Sequence, residues 1–172
     1  MVVASAAFRN AMARLGAAVN VVTTDGPAGR AGITASAVCS VTDTPPTLLV
    51  CLNRGSASHA VFSQNGVLCV NTLSFGQRGT SDLFAGRTGL PAAQRFEGVQ
   101  WERLATGAPV LSGTVASFDC RIVDCVTRGT HSVLFAEVEA IVHGEVADGG
   151  LIYFGRGYHQ VGAAVLTRSD AA

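Results

Sequence analysis

The sequence predicts a mainly β protein with a few short helices, its strands arranged as an antiparallel barrel. Several apolar, β-branched runs of strand length are separated by turn residues, and the last third alternates apolar and polar residues with period two. No regular strand–helix–strand alternation appears, as a doubly wound parallel sheet would need. The 172 residues suit one domain over 1–172 with a sizeable core, without repeat, low-complexity tract or linker.

From Ala4 to Leu15, the apolar side chains of Phe8, Met12 and Leu15 recur at helical spacing, and Gly16 ends an expected amphipathic helix. Val19 to Thr24 reads as a strand, and Asp25-Gly26-Pro27 opens a loop. Gly32 to Val41 mixes β-branched and small residues, so as one strand it leaves little bulk between its backbone and a flat ligand. Pro45 and Pro46 forbid helix and make Thr42 to Pro46 the connection to a short buried strand, Thr47 to Leu52. Hydroxyls gather at both ends of this pair: Thr34, Ser36 and Ser40 on the first strand, Ser56 and Ser58 after the second. Ser56 is expected to cap the following helix, either as a cap alone or beside amides that take a phosphate. That helix, around Ala60, Val61 and Phe62, stops at Asn65-Gly66, and a strand follows from Val67 to Leu73.

Ser74 to Pro91 is glycine-rich, with a brief helical pattern around Ser81 to Ala85, the kind of loop that contacts ligands. Trp101 reads as a core or interface filler, with ring stacking as the alternative. Farther on, Phe118, Cys120 and Ile122 alternate with Asp119 and Arg121, and Leu134 to Val142 alternate with Phe135, Glu137, Glu139 and His143. The two runs join at Arg128-Gly129-Thr130 as a hairpin. Leu151 to Phe154 is a last short strand before Gly155-Arg156-Gly157-Tyr158-His159.

Twelve basic residues balance twelve acidic ones, with no cationic run, so nucleic-acid binding is not expected. No apolar stretch approaches bilayer length, and the N-terminus lacks the pattern of a secretory signal, so a cytoplasmic protein is expected. The five cysteines, without a CxxC pair, exclude a disulfide framework and a zinc site and read as small buried hydrophobes. There is no GxSxG elbow, HExxH pair, phosphate loop or dinucleotide fingerprint. Glu137 and Glu139 read as solvated strand carboxylates. What remains suits a protein whose chemistry a bound cofactor supplies.

The runs GITASAVCSVTDTPPTLLVCLNRGSAS, LCVNTL, FAG, GTHSVLFAEVEAI and GLIYFGRGYH, in that order from Phe8 to His159, resemble the short-chain flavin reductases of two-component flavin-dependent monooxygenases. The likeness is greatest to the reductases of the pyrimidine-utilisation and 4-hydroxyphenylacetate hydroxylase systems. The resemblance implies a Greek-key split β-barrel of the FMN-binding type, a homodimer that oxidises NADH, or NADPH, with FMN or FAD. It implies a separate oxygenase that receives the reduced flavin.

It also implies that Thr34, Ala35 and Ser36 run along the isoalloxazine, with Ser40 in the same hydroxyl group. Cys51, Leu52 and Asn53 would line it from the second strand, and Ser56 and Ser58 would mark the phosphate end. His131, alone a solvated turn residue, becomes the nicotinamide-side catalytic residue, and Arg156 and Tyr158 approach the dinucleotide. Gly157 stands where many relatives carry a second basic residue. A flavin-binding oxidase, carrier or sensor on the same barrel is the alternative.

Overall fold

A computed structural model describes residues 2–145 and 149–162; the first residue and the last ten of the expected domain lie outside them. Helix α1 (Ser5–Met12) precedes strands β1 (Ala17–Ala18), β2 (Asn20–Thr24), β3 (Ala31–Ala35), β4 (Val38–Asp43) and β5 (Pro46–Asn53). Helix α2 (His59–Asn65), β6 (Val67–Thr72) and helix α3 (Arg78–Phe84) follow. The chain ends in β7 (Trp101–Arg103), β8 (Pro109–Leu111), β9 (Ala116–Arg128), β10 (His131–His143), β11 (Gly150–Phe154) and β12 (Gly157–Val161). As expected, the protein is mainly β and its strand pairs are antiparallel.

The main sheet has the order β3-β2-β6-β9-β10-β5-β4. Its two edge strands are consecutive in sequence. The expected single strand from Gly32 to Val41 is therefore two: Ala35 pairs with Asn20 on one edge, and Val38 pairs with Val50 on the other. Only Ser36 and Ala37 connect them, so the sheet must curl until its edges lie two residues apart. β-Propensity carries no mark of this break, because residues on both sides of it suit a pleated strand.

The curled sheet encloses Val22, Val50, Leu52, Leu68, Val70, Leu134 and Ala136, and Phe62 of α2 fills the same core. Helix α2 ends as expected, Gly66 taking φ +67° while its N–H donates to the Phe62 carbonyl. A second core joins Val19, Val21 and Leu73 to Phe84, Phe96, Leu111 and Leu151, seating α3 and the smaller sheet β1-β11-β12 on β2.

Several expectations change on folding. Helix α1 buries no residue, and Phe8, Met12 and Leu15 stay exposed; among the described residues, Gly155 N–H donates to the Ala13 carbonyl and Arg156 to Asn10, linking its vicinity to the β11–β12 turn. The brief helix of the glycine-rich loop is longer, because Ser74 and Gln77 form a capping box that starts a 3-10 turn running into α3. Cys69 and Cys120 are buried, but Cys39 and Cys125 are exposed, because the edge strand β4 is exposed from Cys39 onward and β9 is exposed from Val123 to Cys125. All five cysteines are free. Burial pushes the Cys120 thiol up to about 12, and that of Cys69 higher, keeping both protonated. Glu139 is not merely solvated: Arg121 binds it at 2.6 Å.

Asp119, expected on an outer face, is fully buried and accepts from the Thr106 backbone N–H at 2.8 Å and from the Thr106 hydroxyl. Asn71, also fully buried, is a larger hub. Its Nδ2 donates to the Val21 carbonyl and Thr23 Oγ1, both at 3.1 Å, and its Oδ1 accepts from Leu111 N at 2.8 Å and Ser117 Oγ at 3.0 Å. One side chain thus ties the β7–β8 hairpin to β2, β6 and β9. Asn71→Ala leaves several buried polar groups unpaired and is expected to cost about 2–4 kcal/mol, read as a lower urea midpoint at unchanged slope.

Candidate functional site

A cleft of about 500 Å³ opens where the chain crosses from β3 to β4. Ile33 to Ala37 form one wall, and Cys51, Leu52 and Asn53 of β5 another. Ser56, Ala57 and Ser58, the loop from Phe84 through Arg95, and His131 complete it. The crossing leaves backbone groups unpaired. The Ser36 and Ala37 carbonyls accept from Val38 N and Cys51 N at 3.0 Å, yet their own N–H groups donate to no acceptor among the described residues. Such donors, beside alanine side chains, suit the polar edge of a flat ring.

Each wall has a local cause. Gly32 lets α3 lie against β3, since a Cβ there would sit 2.7 Å from the Phe84 ring. Thr34 Oγ1 then donates to the Ser81 carbonyl at 2.6 Å, tying the strand to the helix. His131 opens β10 opposite Asn53, after a turn in which Gly129 takes φ +55°. It is exposed, with Nδ1 2.9 Å from Thr130 Oγ1. Helix α2 begins at His59, later than expected. Ser56 therefore does not cap it; its hydroxyl accepts from Ser58 N at 3.3 Å and its carbonyl from His59 N, shaping a turn.

The cleft thus collects Thr34, Ala35, Ser36, Cys51, Leu52, Asn53, Ser56, Ser58 and His131. Tyr158 lines an adjoining cavity of about 240 Å³, which shares Thr34, Ala35, Ser36 and Ala85 with the cleft and adds Arg87 and Tyr153. Its hydroxyl lies 2.8 Å from Ser81 Oγ and donates to Asp82 Oδ1 at 3.1 Å, while Arg87 pairs with Asp82 at 2.8 Å. Two expected residues lie elsewhere. Ser40 points into a different hollow, beside Val38 and Leu48, because the β3–β4 break sends it to the other edge. Arg156, in the β11–β12 turn, donates to Asn10 of α1.

The sequence reading named none of Gly86, Ala92 and Arg95 as site residues, although Gly86 lies within the Ser74–Pro91 tract it marked as ligand-contacting and the other two follow it. Arg95 stands next to Phe96, which is anchored edge-on against Phe84 at 5.0 Å and Trp101 at 6.3 Å. Trp101 is a filler, as expected, and carries the Arg30 guanidinium 4.3 Å above its ring. Asp25 binds Arg30 at 3.0 Å and Arg103 at 2.9 Å. No cluster of His, Cys, Asp and Glu among the described residues could hold a metal ion.

A curled antiparallel sheet with unpaired amides, small side chains and a cation at one open cleft defines a β protein built to hold a flat, anionic heterocycle. The chain belongs to the flavin reductase like domain family, whose pattern it matches over residues 12–162. It is 59% identical over 162 residues to an FMN reductase (NADH) RutF of Variovorax paradoxus, covering 94% of this chain and 88% of that one. Among solved structures it resembles the flavin reductase PheA2, with TM-score 0.83 and 32% identity over 93% of this chain and 99% of the other. It also resembles the styrene monooxygenase flavin reductase of Pseudomonas putida S12, with TM-score 0.77 and 28% identity over 90% of this chain and 97% of the other.

Burial alone would raise the Asp25 carboxyl pKa, but hydrogen bonds and charge from Arg30 and Arg103 outweigh it and hold the group below the usual carboxylate range. The resulting stabilisation is fully present above the ordinary carboxylate pKa and is lost as pH falls through the lowered folded value. Both guanidiniums are partly exposed, so Asp25→Asn is expected to cost about 1 kcal/mol at neutral pH. Urea unfolding of parent and variant should converge in acid, once both side chains are uncharged.

Proposed function

We infer that the protein is an NADH-dependent flavin reductase that supplies reduced flavin to a separate oxygenase. The observation that carries this is the cleft at Ser36–Ala37, with two unpaired amides and small side chains, in a chain 59% identical to an FMN reductase (NADH). The pairing of reductase with oxygenase is drawn from the styrene monooxygenase reductase and from the monooxygenase systems the sequence resembles. NADH is the favoured nicotinamide, by the relative's name.

When bound, the flavin supplies the hydride acceptor, N5, for nicotinamide C4. Everything else is positioning by the chain. The Ser36 and Ala37 amides fix the ring's polar edge, while Ala35, Cys51 and Leu52 flank it and displace water. Ser56 and Ser58 sit where hydroxyls meet an anionic tail. His131, across the ladder from Asn53, is placed to orient the nicotinamide. Tyr158 faces the neighbouring cavity that shares the Thr34–Ser36 wall, where the rest of a dinucleotide has room. Ser40 and Arg156 are left out of this site. Hydride transfer between stacked rings depends on proximity and alignment, so no general acid or base is required.

The wider reading is one flavin reductase-like domain in a Greek-key split barrel, formed by the curled sheet and working as a homodimer. Val41, Val123 and Ile141 are exposed on β4, β9 and β10. An apolar hollow of about 370 Å³ lined by Val38, Leu48, Phe118 and Val138 lies on the same strands. A second copy would cover these groups. Five free thiols suit a reducing cytoplasm.

Purified protein mixed with NADH and excess FMN or FAD should bleach the NADH absorbance band; no turnover with either flavin would sink the reductase reading. His131→Ala is expected to raise the KM for NADH about tenfold while FMN affinity stays within about twofold. Equal NADH kinetics in variant and parent would remove His131 from the site. Light scattering should give about twice the 17.6 kDa chain mass, and a monomer at working concentration would exclude the dimer.

A further inference from the structure

Ser132 Oγ and His59 Nε2 share a hydrogen bond at 2.9 Å, joining the second residue of β10 to the first of α2. A hydroxyl beside an imidazole suits a nucleophile and its base, but Ser132 is buried and neither residue lines the cleft, so the pair does not reach a substrate. Its place in the fold gives it another use. His131 and Ser132 alternate across β10: His131 is exposed at the cleft, whereas Ser132 shares the inward face with Leu134 of the core. The segment from Asn53 to His59 therefore stands on two feet that bracket His131. At one end Arg54 N–H donates to the Thr130 carbonyl at 2.9 Å, and at the other His59 reaches Ser132. Between the feet the turn closes on itself, Ser56 N–H donating to the Asn53 carbonyl and His59 N–H to the Ser56 carbonyl, both at 3.0 Å. The β5–β10 ladder ends at Asn53 and His131, where strands fray, so a side-chain tether counts for most there. Among the described residues the Ser132 hydroxyl has no other partner, and losing His59 leaves it buried and unpaired.

We propose that His59 and Ser132 are positioning residues for hydride transfer: their bond holds the start of β10 against the Asn53–His59 turn and so fixes His131 where it orients the nicotinamide. This rests on the flavin reductase reading above. Neither side chain touches a ligand; both act through His131, Ser132 as its strand neighbour and His59 from the opposite face. The flavin ring is held elsewhere, by the Ser36–Ala37 crossing and β5, so the loss falls on the nicotinamide rather than on the flavin.

Steady-state kinetics at saturating FMN test this on the parent, His59→Ala, His59→Gln, Ser132→Ala, His131→Ala and the double variants with His131→Ala. His59→Ala and Ser132→Ala should each raise the KM for NADH about fourfold with kcat within about twofold, and His59→Gln, which keeps an N–H near the Nε2 position, should recover most of the loss. Because the pair works through His131, either change should add less than about 1.5-fold once His131 is alanine. Ser132→Ala removes the same bond from the other side, so the comparison stands should His59→Ala fail to fold. A lowered urea midpoint with an unchanged NADH KM would mean that the bond is structural only. Equal rises with and without His131, or a His59→Gln no better than His59→Ala, would mean that the bond does not act through His131. Each of these results overturns the proposal while leaving the reductase reading intact. A parent that turns over no NADH overturns both together.

Discussion

The structure depends on one topological constraint: consecutive strands β3 and β4 occupy opposite edges of the same sheet. A flat sheet of this order would separate them by five intervening strands, far beyond the reach of Ser36 and Ala37. The sheet must therefore curl, and the crossing residues cannot belong fully to either ladder. Their amides find no partner among the described residues as a direct consequence. The candidate cleft is thus the place where the sheet's two edges meet, and its polar character owes much to backbone.

A cleft built from backbone needs rigid surroundings, and buried polar groups supply much of that rigidity. Asn71 holds the β7–β8 hairpin to three strands of the main sheet. Asp119 clamps the loop at Thr106. Trp101 of β7 then supports Phe96, and through it the segment bearing Arg95. Each buried donor or acceptor is expensive to leave unpaired, so these networks define one arrangement rather than merely adding stability.

Much of the fold was legible because it rests on local pattern. The β9–β10 hairpin follows from period-two alternation and Gly129, and the end of α2 from Asn65-Gly66. The break at Ser36–Ala37 was not legible, since it reflects where each half of the run finds its partner strand. Thr34, Ala35 and Ser36 still fall at the cleft because they precede the break, whereas Ser40 follows it and leaves with β4. Asp119 illustrates the same point: its alternation predicts an outward face, but the partner that permits its burial, Thr106, lies in a distant loop. Arg95 continues the loop-like tract the sequence marks, but it carries no motif of its own. What places it at the cleft is the neighbour Phe96, anchored against Phe84 and Trp101, a tertiary fact.

The division of labour between the walls bears on how the site can release its product. In the proposed site the ring-facing wall is strand backbone, with β3 held by its ladder to β2 and β5 by its ladders to β10 and β4. The opposite wall comes from Ser56–Ser58 and the segment through Arg95, held by turn and loop bonds rather than by a ladder. A reductase that hands its flavin to another protein must hold the ring in register during transfer yet let it go afterwards. A rigid strand floor beside a wall made of turns and loop satisfies both demands. Release past the loop wall then does not require the sheet to move.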